Sequence, residues 1–350
     1  MIALSIVAGV MLIVLVLADL LSATLAVGNP NVLISQRIAN AVWRLMLRRR
    51  PSHLALRLTG EVIVVGIIAG WALLLWVGWS LVFLGAGDAV VDSTSGASAS
   101  ASERVFFAGY LMTTLGLGGS TAVTTGWRIA AVLASLTGLV TVTLAVTFLV
   151  PVVSGVVQRR QVASTIAAVG RTPAAVLERA WNGTDFSRID DMLSGLFSEI
   201  TLLTQRHLAY PVLHYFHAQQ RHVAIAPMIA VLDETLLLLH AGVREAGVSS
   251  VLMAAVRNAV HELMGLLEAS FVVPDREAPP PPDLDWARRL GAETVDDDTF
   301  AKACDDCDEH RRMLRGFVEA DGWSWSDLTE DGQVTGLDAE HSGVEPVEEA

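Results

Sequence analysis

The chain has 350 residues, of which 52% are hydrophobic and 17% charged, and its formal net charge is −13. Charged residues make up about a quarter of an ordinary soluble chain, so this composition argues against a conventional soluble protein. The acidic excess argues against nucleic acid as a partner, because its phosphates would be repelled. Two cysteines cannot form a disulfide framework.

The charge is divided unevenly along the chain. Residues 1–160 contain ten arginines, no lysine and five acidic residues, whereas residues 161–350 contain 14 basic and 32 acidic residues. The first part is therefore apolar and mildly basic, and the second part is strongly acidic. This break predicts a membrane domain followed by a water-soluble domain.

Three segments, residues 2–27, 62–84 and 129–157, are long and apolar enough to cross a bilayer, which takes about 20 residues. The first segment could instead be a cleaved signal peptide, with "TLA" before Val27 as its cleavage site. We expect a retained helix, because "MIALS" carries no basic residue and the apolar run is longer than that of a signal peptide.

Arginines predict the orientation of these spans. Six of them lie between residues 35 and 57, and two follow the third span. The positive-inside rule then places the N-terminus and residues 85–128 outside the plasma membrane and everything after residue 158 in the cytoplasm. Apolar residues at helical spacing in the connecting segment predict an amphipathic helix on the inner leaflet, although a basic loop fits too. Asp19, near the inner end of span one, would pair with an arginine of residues 37–57 or reach the interface.

A shorter apolar segment lies between the second and third spans. Residues 85–102 are small and polar, which predicts a flexible external loop. Ser102 as N-cap and Glu103 in the first turn then introduce about eleven apolar residues, too few to cross the membrane. The sequence therefore predicts a re-entrant helix that ends at Thr113.

Glycine and threonine follow this helix in the sequence "TLGLGGS". Alternating glycines allow successive residues to adopt conformations of opposite handedness, so that their carbonyl groups can point to one side. Irregular backbone at membrane depth is tolerated only where it is buried in protein or lines a water-filled path. A row of carbonyl oxygens on a pore axis can replace the hydration shell of potassium. The predicted cation-binding loop comprises Thr114, Leu115, Gly116, Leu117 and Gly118.

The order of span, re-entrant helix, T-x-G-x-G and span resembles the pore module of the potassium channel superfamily over residues 61–157. The resemblance implies passive conduction of K⁺ past the carbonyls of Thr114–Gly118, with the permeant ion in place of any cofactor. It also implies a gating hinge at Gly138 and Pro151. Leu117 stands where such channels usually have Tyr or Phe, and Gly119 stands where Asp is common. Strict exclusion of Na⁺ is therefore left open.

One such loop per chain cannot enclose an axis, so we expect a homotetramer surrounded by membrane lipid. Two alternatives remain open. The first is a nonselective channel for monovalent cations, and the second is a non-conducting receptor or scaffold whose glycine loop only packs helices. We expect no enzyme activity, because "HELMG" at His261 has Gly265 where a metalloprotease helix has its second histidine.

Residues 172–271 are helical almost throughout by their spacing, which predicts a cytoplasmic helical bundle that gates the pore in response to an unknown signal. His214 and His217, three residues apart on one helix face, could bind a metal or sense pH, or could simply be packed. Cys304, Cys307 and His310 have the residue types of half a zinc site, but they form a single half-site in an acidic helix, so we expect a solvated surface.

A proline linker at residues 278–284 leads to one or two short helices within residues 283–319. The acidic residues 321–350 predict a disordered tail that contains "WSWSDL" as a possible docking motif. Together these predictions describe an all-α membrane protein with three transmembrane helices, a re-entrant pore helix, a filter loop and a cytoplasmic helical domain. Its expected parts are residues 1–60, the pore module 61–157, the helical domain 158–277, and the linker, short helices and tail 278–350.

Overall fold

The computed structural model describes residues 2–25, 32–47, 53–268 and 272–329. The chain forms two compact units. Unit 1 comprises residues 1–157 and 205–217, and unit 2 comprises residues 158–204 and 218–350. The helical class expected from the sequence holds for both units, except for one small antiparallel sheet in unit 1.

Unit 1 is built mainly from five α-helices and two short strands in the described ranges. The elements are α1 Ile2–Leu25, α2 Leu33–Leu47, α3 His53–Leu84, β1 Val90–Asp92, α4 Ala101–Met112, β2 Ser120–Ala122 and α5 Thr125–Val169, the last of which continues into unit 2.

Four helices among the described residues are long and apolar enough to cross a membrane. Three correspond to the predicted spans, and the fourth is Ile225–Gly242 in unit 2. Protein buries 89% of the apolar window of this fourth helix, against 28%, 39% and 28% for the other three. A helix that is apolar on all sides and surrounded by protein belongs to a core, whereas the other three expose most of their apolar surface.

Helix α1 packs closely on α3 where two glycines face each other. A Cβ added at Gly9 would lie 2.5 Å from the carbonyl oxygen of Gly78, and one added at Gly78 would lie 2.8 Å from the Ile13 side chain. Small residues let apolar helices approach where lipid provides no hydrophobic driving force between them. The sequence of these helices therefore supports packing within an apolar environment.

Asp19 of α1 makes neither of the contacts expected for it. Its carboxylate is buried and accepts the backbone N–H groups of Ile34 (2.8 Å) and Ser35 (3.2 Å), the first-turn donors of α2. It also accepts the Ser35 hydroxyl at 2.5 Å and the indole N–H of Trp71 at 2.9 Å. A carboxylate at a helix N-terminus satisfies donors that have no partner within the helix. Asp19 thus joins α1, α2 and α3, and pairing with an arginine was the wrong expectation.

Helix α2 confirms that the connecting segment is helical over residues 33–47. Ile34 and Ala39 are buried, and Ile38 lies against Gly66 and Gly70 of α3. The arginines at positions 48–50, like Val27 of the possible cleavage site, lie outside the described residues.

Residues 205–217 belong to unit 1 although they follow a long stretch of unit 2, which the sequence did not predict. The Arg206 guanidinium donates to the carbonyl oxygen of Ser154 in α5 at 3.0 Å. Three apolar contacts continue along the segment: Tyr210 with the Phe148 ring at 6.3 Å, Leu213 with Gly155, and Phe216 with Gly60. The predicted parts 1–60 and 61–157 therefore form one unit together with this segment.

Unit 2 is a helical bundle around α8. Its helices are α6 Pro173–Ala180, α7 Asp190–Ala209, α8 Ile225–Leu237, α9 Ser250–Glu268, α10 Asp285–Leu290, α11 Asp297–Asp305, α12 Asp308–Ala320 and α13 Ser326–Thr329. Every residue of α8 is buried, and a π-helical turn, Leu238–Gly242, extends it. Thr172 caps α6 by accepting the Ala175 N–H at 3.2 Å, with Pro173 at the first position, as the sequence predicts.

The C-terminal part of unit 2 corrects several predictions. Cys304 is buried in the core, and His310 pairs with buried Asp233 at 3.2 Å, so a solvated surface was the wrong interpretation of this cluster. Burial raises the pKa of the Cys304 thiol to about 11. Trp325 and Leu328 of "WSWSDL" are buried in the core too, so residues 321–329 are not part of a disordered tail. The remaining residues of the predicted tail, 330–350, lie outside the described ranges.

The proline segment is part of unit 2 as well. Arg311 of α12 forms two hydrogen bonds with Glu234 of α8, at 2.8 and 3.0 Å, and donates to the carbonyl oxygen of Pro280 at 2.8 Å. Three helices, α10 to α12, follow the prolines where one or two were expected. The predicted boundary at residue 278 therefore does not separate two compact bodies.

Candidate pore loop

A helix, α4, is present where the sequence predicts a re-entrant helix, and its first residue is Ala101. Its N-cap is Ser100, two residues before the predicted Ser102. The Ser100 hydroxyl accepts the N–H of Glu103, and the Glu103 carboxylate accepts the N–H of Ser100 at 2.6 Å, which forms a capping box. The S-x-x-E spacing that produces this box is visible in the sequence.

Helix α4 is 12 residues long and ends where the glycine-rich loop begins. At 1.5 Å per residue it covers about 18 Å, roughly half of a bilayer's hydrocarbon thickness. Thr113 closes it by donating its N–H and its hydroxyl to the carbonyl oxygen of Gly109, both at 3.0 Å. The N–H groups of Thr114 and Leu115 then donate to the carbonyl oxygens of Leu111 and Tyr110 at 3.1 Å each.

The backbone of the loop alternates in handedness. Thr114, Gly116 and Gly118 have φ values of 55°, 61° and 70°, while Leu115 and Leu117 between them are not in the positive-φ region. Thr114 is the one non-glycine residue with positive φ in the described part of the chain. A β-branched residue is strained in this conformation, which indicates that the surrounding structure imposes it. This alternation is what the glycine spacing predicted.

The loop is open in the single chain. Leu115 and Leu117 expose 64% and 60% of their surface. A Cβ added at Gly116, Gly118 or Gly119 would have no heavy atom within 4 Å. The loop therefore presents two apolar side chains and three glycines on the surface of the single chain.

A small sheet outside the loop replaces the flexible segment expected at residues 85–102. Strand β1 pairs antiparallel with β2, with Val90 opposite Ala122 and Asp92 opposite Ser120. The two consecutive valines followed by the turn-forming "DSTSG" are a weak strand signal that sequence reasoning missed. The pairing brings residues before α4 next to the end of the loop.

Two further residues donate hydrogen bonds at the C-terminal end of the loop. Ser93, directly after β1, donates its hydroxyl to the carbonyl oxygen of Gly118 and its N–H to that of Gly119, the latter at 3.2 Å. Tyr110 of α4 donates its phenol O–H to the carbonyl oxygen of Ser120 at 2.6 Å. Neither side chain was a predicted site residue.

Two tryptophans of α3 position the helices on either side of the loop. Trp76 donates its indole N–H to the carbonyl oxygen of Val105 in α4 at 3.0 Å, and Trp79 donates to the Thr137 hydroxyl in α5 at 2.9 Å. Within α5, the Thr137 hydroxyl donates to the carbonyl oxygen of Ala134 at 2.8 Å and the Thr141 hydroxyl donates to that of Thr137 at 2.7 Å.

The two residues predicted as hinges lie within α5, which is helical from Thr125 to Val169. Gly138 packs on the end of α4, where an added Cβ would lie 2.7 Å from the Met112 Cα and would overlap its carbonyl oxygen. Pro151 lies inside the helix. The hinge roles stay predictions, whereas the close contact at Gly138 gives that glycine a packing role.

The predicted sensor histidines do not share a helix face. His214 lies in a short 3-10 helix, Pro211–Tyr215, and His217 follows its end. His214 is buried beside Tyr215, and the His217 ring stacks on Trp43 with ring centres 5.6 Å apart. In the described ranges, no group of three or more His, Cys, Asp or Glu residues is placed to hold a metal ion.

Comparison with known proteins shows that the chain is similar in sequence to another membrane protein. It is 29% identical over 322 residues to the uncharacterized membrane protein YdjJ of Bacillus subtilis (strain 168), and the match covers 91% of this chain and 94% of that protein. No family model and no solved structure matches the chain. With the long apolar helices described above, the match identifies a helical membrane protein with several candidate membrane-spanning helices.

Proposed function

We propose that the protein is a cation channel whose pore is lined by residues 114–118 of several identical chains. The alternation of φ at Thr114, Gly116 and Gly118 carries this proposal. It is the backbone conformation expected of a carbonyl-lined filter, and it follows a half-membrane helix in an apolar unit. A glycine loop that only packed helices would not need a strained threonine at its start.

Three of the candidate spans, α1, α3 and α5, cross the membrane in this proposal. The N-terminus and residues 85–124 lie outside the cell, and unit 2 lies in the cytoplasm. The arginines between α1 and α3, together with Arg159 and Arg160, support this orientation through the positive-inside rule. Helix α8 contributes no span, because unit 2 buries it together with Asp233 and Glu234.

Four chains assemble around the pore axis. Each chain supplies one loop, and closure of a ring with cyclic symmetry is the usual way for identical chains to enclose an axis. The exposed side chains of Leu115 and Leu117 fit this arrangement, since neighbouring chains would cover them. Unit 2 then acts as the regulatory part, connected to the pore by the continuous helix α5.

The preferred ion is K⁺, with a nonselective monovalent cation pore as the second candidate. One observation favours the second candidate: Gly119 carries no side chain, and an added Cβ there would have no heavy atom within 4 Å, so no side chain at this position holds the end of the loop. Leu117 also carries no hydroxyl that could anchor the loop from behind. Both features concern the later residues of the loop. The two candidate functions therefore share one architecture and differ in which monovalent cations the pore admits.

A flux measurement on purified protein in liposomes tests the proposal. We expect a K⁺ current, and a reversal potential under opposed K⁺ and Na⁺ gradients separates the two candidates. Gly116→Ala should abolish the current, because alanine at φ 61° costs about 1–2 kcal/mol in each chain. Gly119→Ala is the matched control, since Gly119 has equally open surroundings and no positive φ.

Two results would contradict the proposal. Wild-type liposomes without cation flux over a range of pH would support a receptor or scaffold. A current that is unchanged in Gly116→Ala would show that ions do not pass along this loop.

A further inference from the structure

The loop contains few groups that could hold its own outer end. Between Leu115 and Gly119 the side chains are two leucines and three glycines, and none of these donates a hydrogen bond. A carbonyl oxygen buried in an assembled pore still requires a donor or an ion. The orientation of the outer carbonyls must therefore be set by residues from elsewhere in the chain.

The structure supplies such donors from two directions. Ser93 reaches the loop from the sheet side and bonds the carbonyl oxygens of Gly118 and Gly119. Tyr110 reaches it from α4 and bonds the carbonyl oxygen of Ser120 at 2.6 Å. The Tyr110 side chain is 6% exposed, so its phenol group has little freedom to move.

Ser93 itself is held in place by the turn that follows β1. One carboxylate oxygen of Asp92 accepts the N–H of Thr94 (3.1 Å), the N–H of Ser95 (2.7 Å) and the Ser95 hydroxyl (2.8 Å). The Asp92 N–H donates to the carbonyl oxygen of Ala97 at 2.9 Å. Because Asp92 also pairs with Ser120 in the sheet, the residue after it is fixed relative to the loop.

We propose that Ser93 and Tyr110 are positioning residues for the outer end of the filter, and that the Ser93 hydroxyl fixes the orientation of the Gly118 carbonyl. This proposal rests on the function proposed above and adds what determines selectivity there. A carbonyl oxygen has two lone pairs, so Gly118 can accept from Ser93 and still face a cation. Without the hydroxyl, the carbonyl turns more freely and the spacing of the oxygens around the ion is less defined.

Four variants test the proposal in the full-length protein. Ser93→Ala removes the hydroxyl and keeps the backbone bond to Gly119, and Tyr110→Phe removes only the phenol oxygen. Ser93→Thr keeps a hydroxyl at an exposed position that has room for a methyl group. Thr94→Ala is the matched control, because it removes an exposed hydroxyl from the adjacent residue and leaves the N–H bond to Asp92.

The first readout is the K⁺/Na⁺ permeability ratio from reversal potentials in liposomes. We expect Ser93→Ala and Tyr110→Phe to lower the ratio about three- to tenfold, the factor that corresponds to losing one hydrogen bond. Ser93→Thr should restore the ratio, and Thr94→Ala should leave it unchanged. An unchanged ratio in Ser93→Ala would overturn the proposal.

The second readout does not depend on conduction. Hydrogen–deuterium exchange of the peptide spanning residues 113–123 should be about three- to tenfold faster in Ser93→Ala than in wild type or Thr94→Ala. If the wild-type protein carried no current, the proposed function would fail, and the exchange rates would still decide whether Ser93 holds the loop. Equal rates in all variants would overturn the positioning role.

Discussion

At Gly138 we expect the size of the side chain to determine the stability of the folded protein. In an exposed helix, Gly→Ala stabilises by about 1 kcal/mol, but here an added Cβ would overlap the end of α4. We expect Gly138→Ala to destabilise the protein by about 1–3 kcal/mol, the usual cost of overpacking. Thermal unfolding in detergent should report this as a lower melting temperature.

Gly126 provides the control for that measurement. It lies in the same helix, and a Cβ there would have no heavy atom within 4 Å. Gly126→Ala should leave the melting temperature unchanged or raise it. If both variants behaved alike, the contact between Gly138 and Met112 would not exist in the folded protein.

Sequence reasoning succeeded at single residues where the signal was local. The positive φ values of Gly116 and Gly118 could be anticipated from the sequence, because glycine adopts such values at little cost. The positive φ of Thr114, a β-branched residue, could not. Asp19 could not be placed, since its partners, Ile34, Ser35 and Trp71, lie 15, 16 and 52 residues away. Nothing near Asp19 in the sequence distinguishes a helix-capping carboxylate from one that pairs with an arginine.

At the scale of elements, helices were easier to predict than strands. The spans and α4 follow from long apolar runs, and run length is a local property. The sheet depends on two three-residue strands that pair across the whole of α4 and the loop. Short strands of this kind gain their stability from the pairing, so their sequences differ little from those of loops.

The contact of α12 with α8 makes unit 2 sensitive to pH. Burial of the His310 imidazole opposes its charged form, but the hydrogen bond and charge of Asp233 outweigh this effect, so the pKa of His310 is raised above its usual 6.5. Glu234 also favours the charged form, whereas Arg257 opposes it, and the His261 ring lies 5.6 Å away. The protonated imidazole therefore stabilises the folded state.

We expect this stabilisation to be complete below about pH 6.5 and to be lost as the pH rises through the raised pKa of His310. The loss arises because deprotonation of His310 removes the charged partner of the buried Asp233 carboxylate. Melting temperatures between pH 6 and pH 9 measure it, with His310→Gln as the control that should show the smaller dependence. Equal pH dependence in the two proteins would contradict the assignment.

At the scale of the whole molecule, the central prediction is the number of chains. Native mass spectrometry of the purified protein should give four times the 37.4 kDa chain mass. Leu115→Glu should reduce the tetramer fraction, because the proposed assembly would bury the added charges between neighbouring loops. Val251→Glu, at a residue of unit 2 that is 75% exposed, should not. A wild-type monomer or dimer would argue against a shared pore.

The division into two units could be predicted only in part. The change in charge after residue 160 marks the end of the first long segment of unit 1 at residue 157. The sequence contains no comparable signal that residues 205–217 belong to unit 1, because Tyr210, Leu213 and Phe216 would suit a soluble core equally well. Their partners Phe148, Gly155 and Gly60 become visible only in three dimensions.

This return has a consequence for the order in which the protein can fold. A chain leaves the ribosome N-terminus first, so α1 to α5 are synthesised before residues 205–217 exist. Until those residues arrive, the surfaces at Gly60 and Gly155 stay uncovered. Unit 1, whose synthesis begins first, is therefore complete only after residues 158–204 of unit 2 have been made. A chain terminated directly after α5 would lack a piece of unit 1 itself.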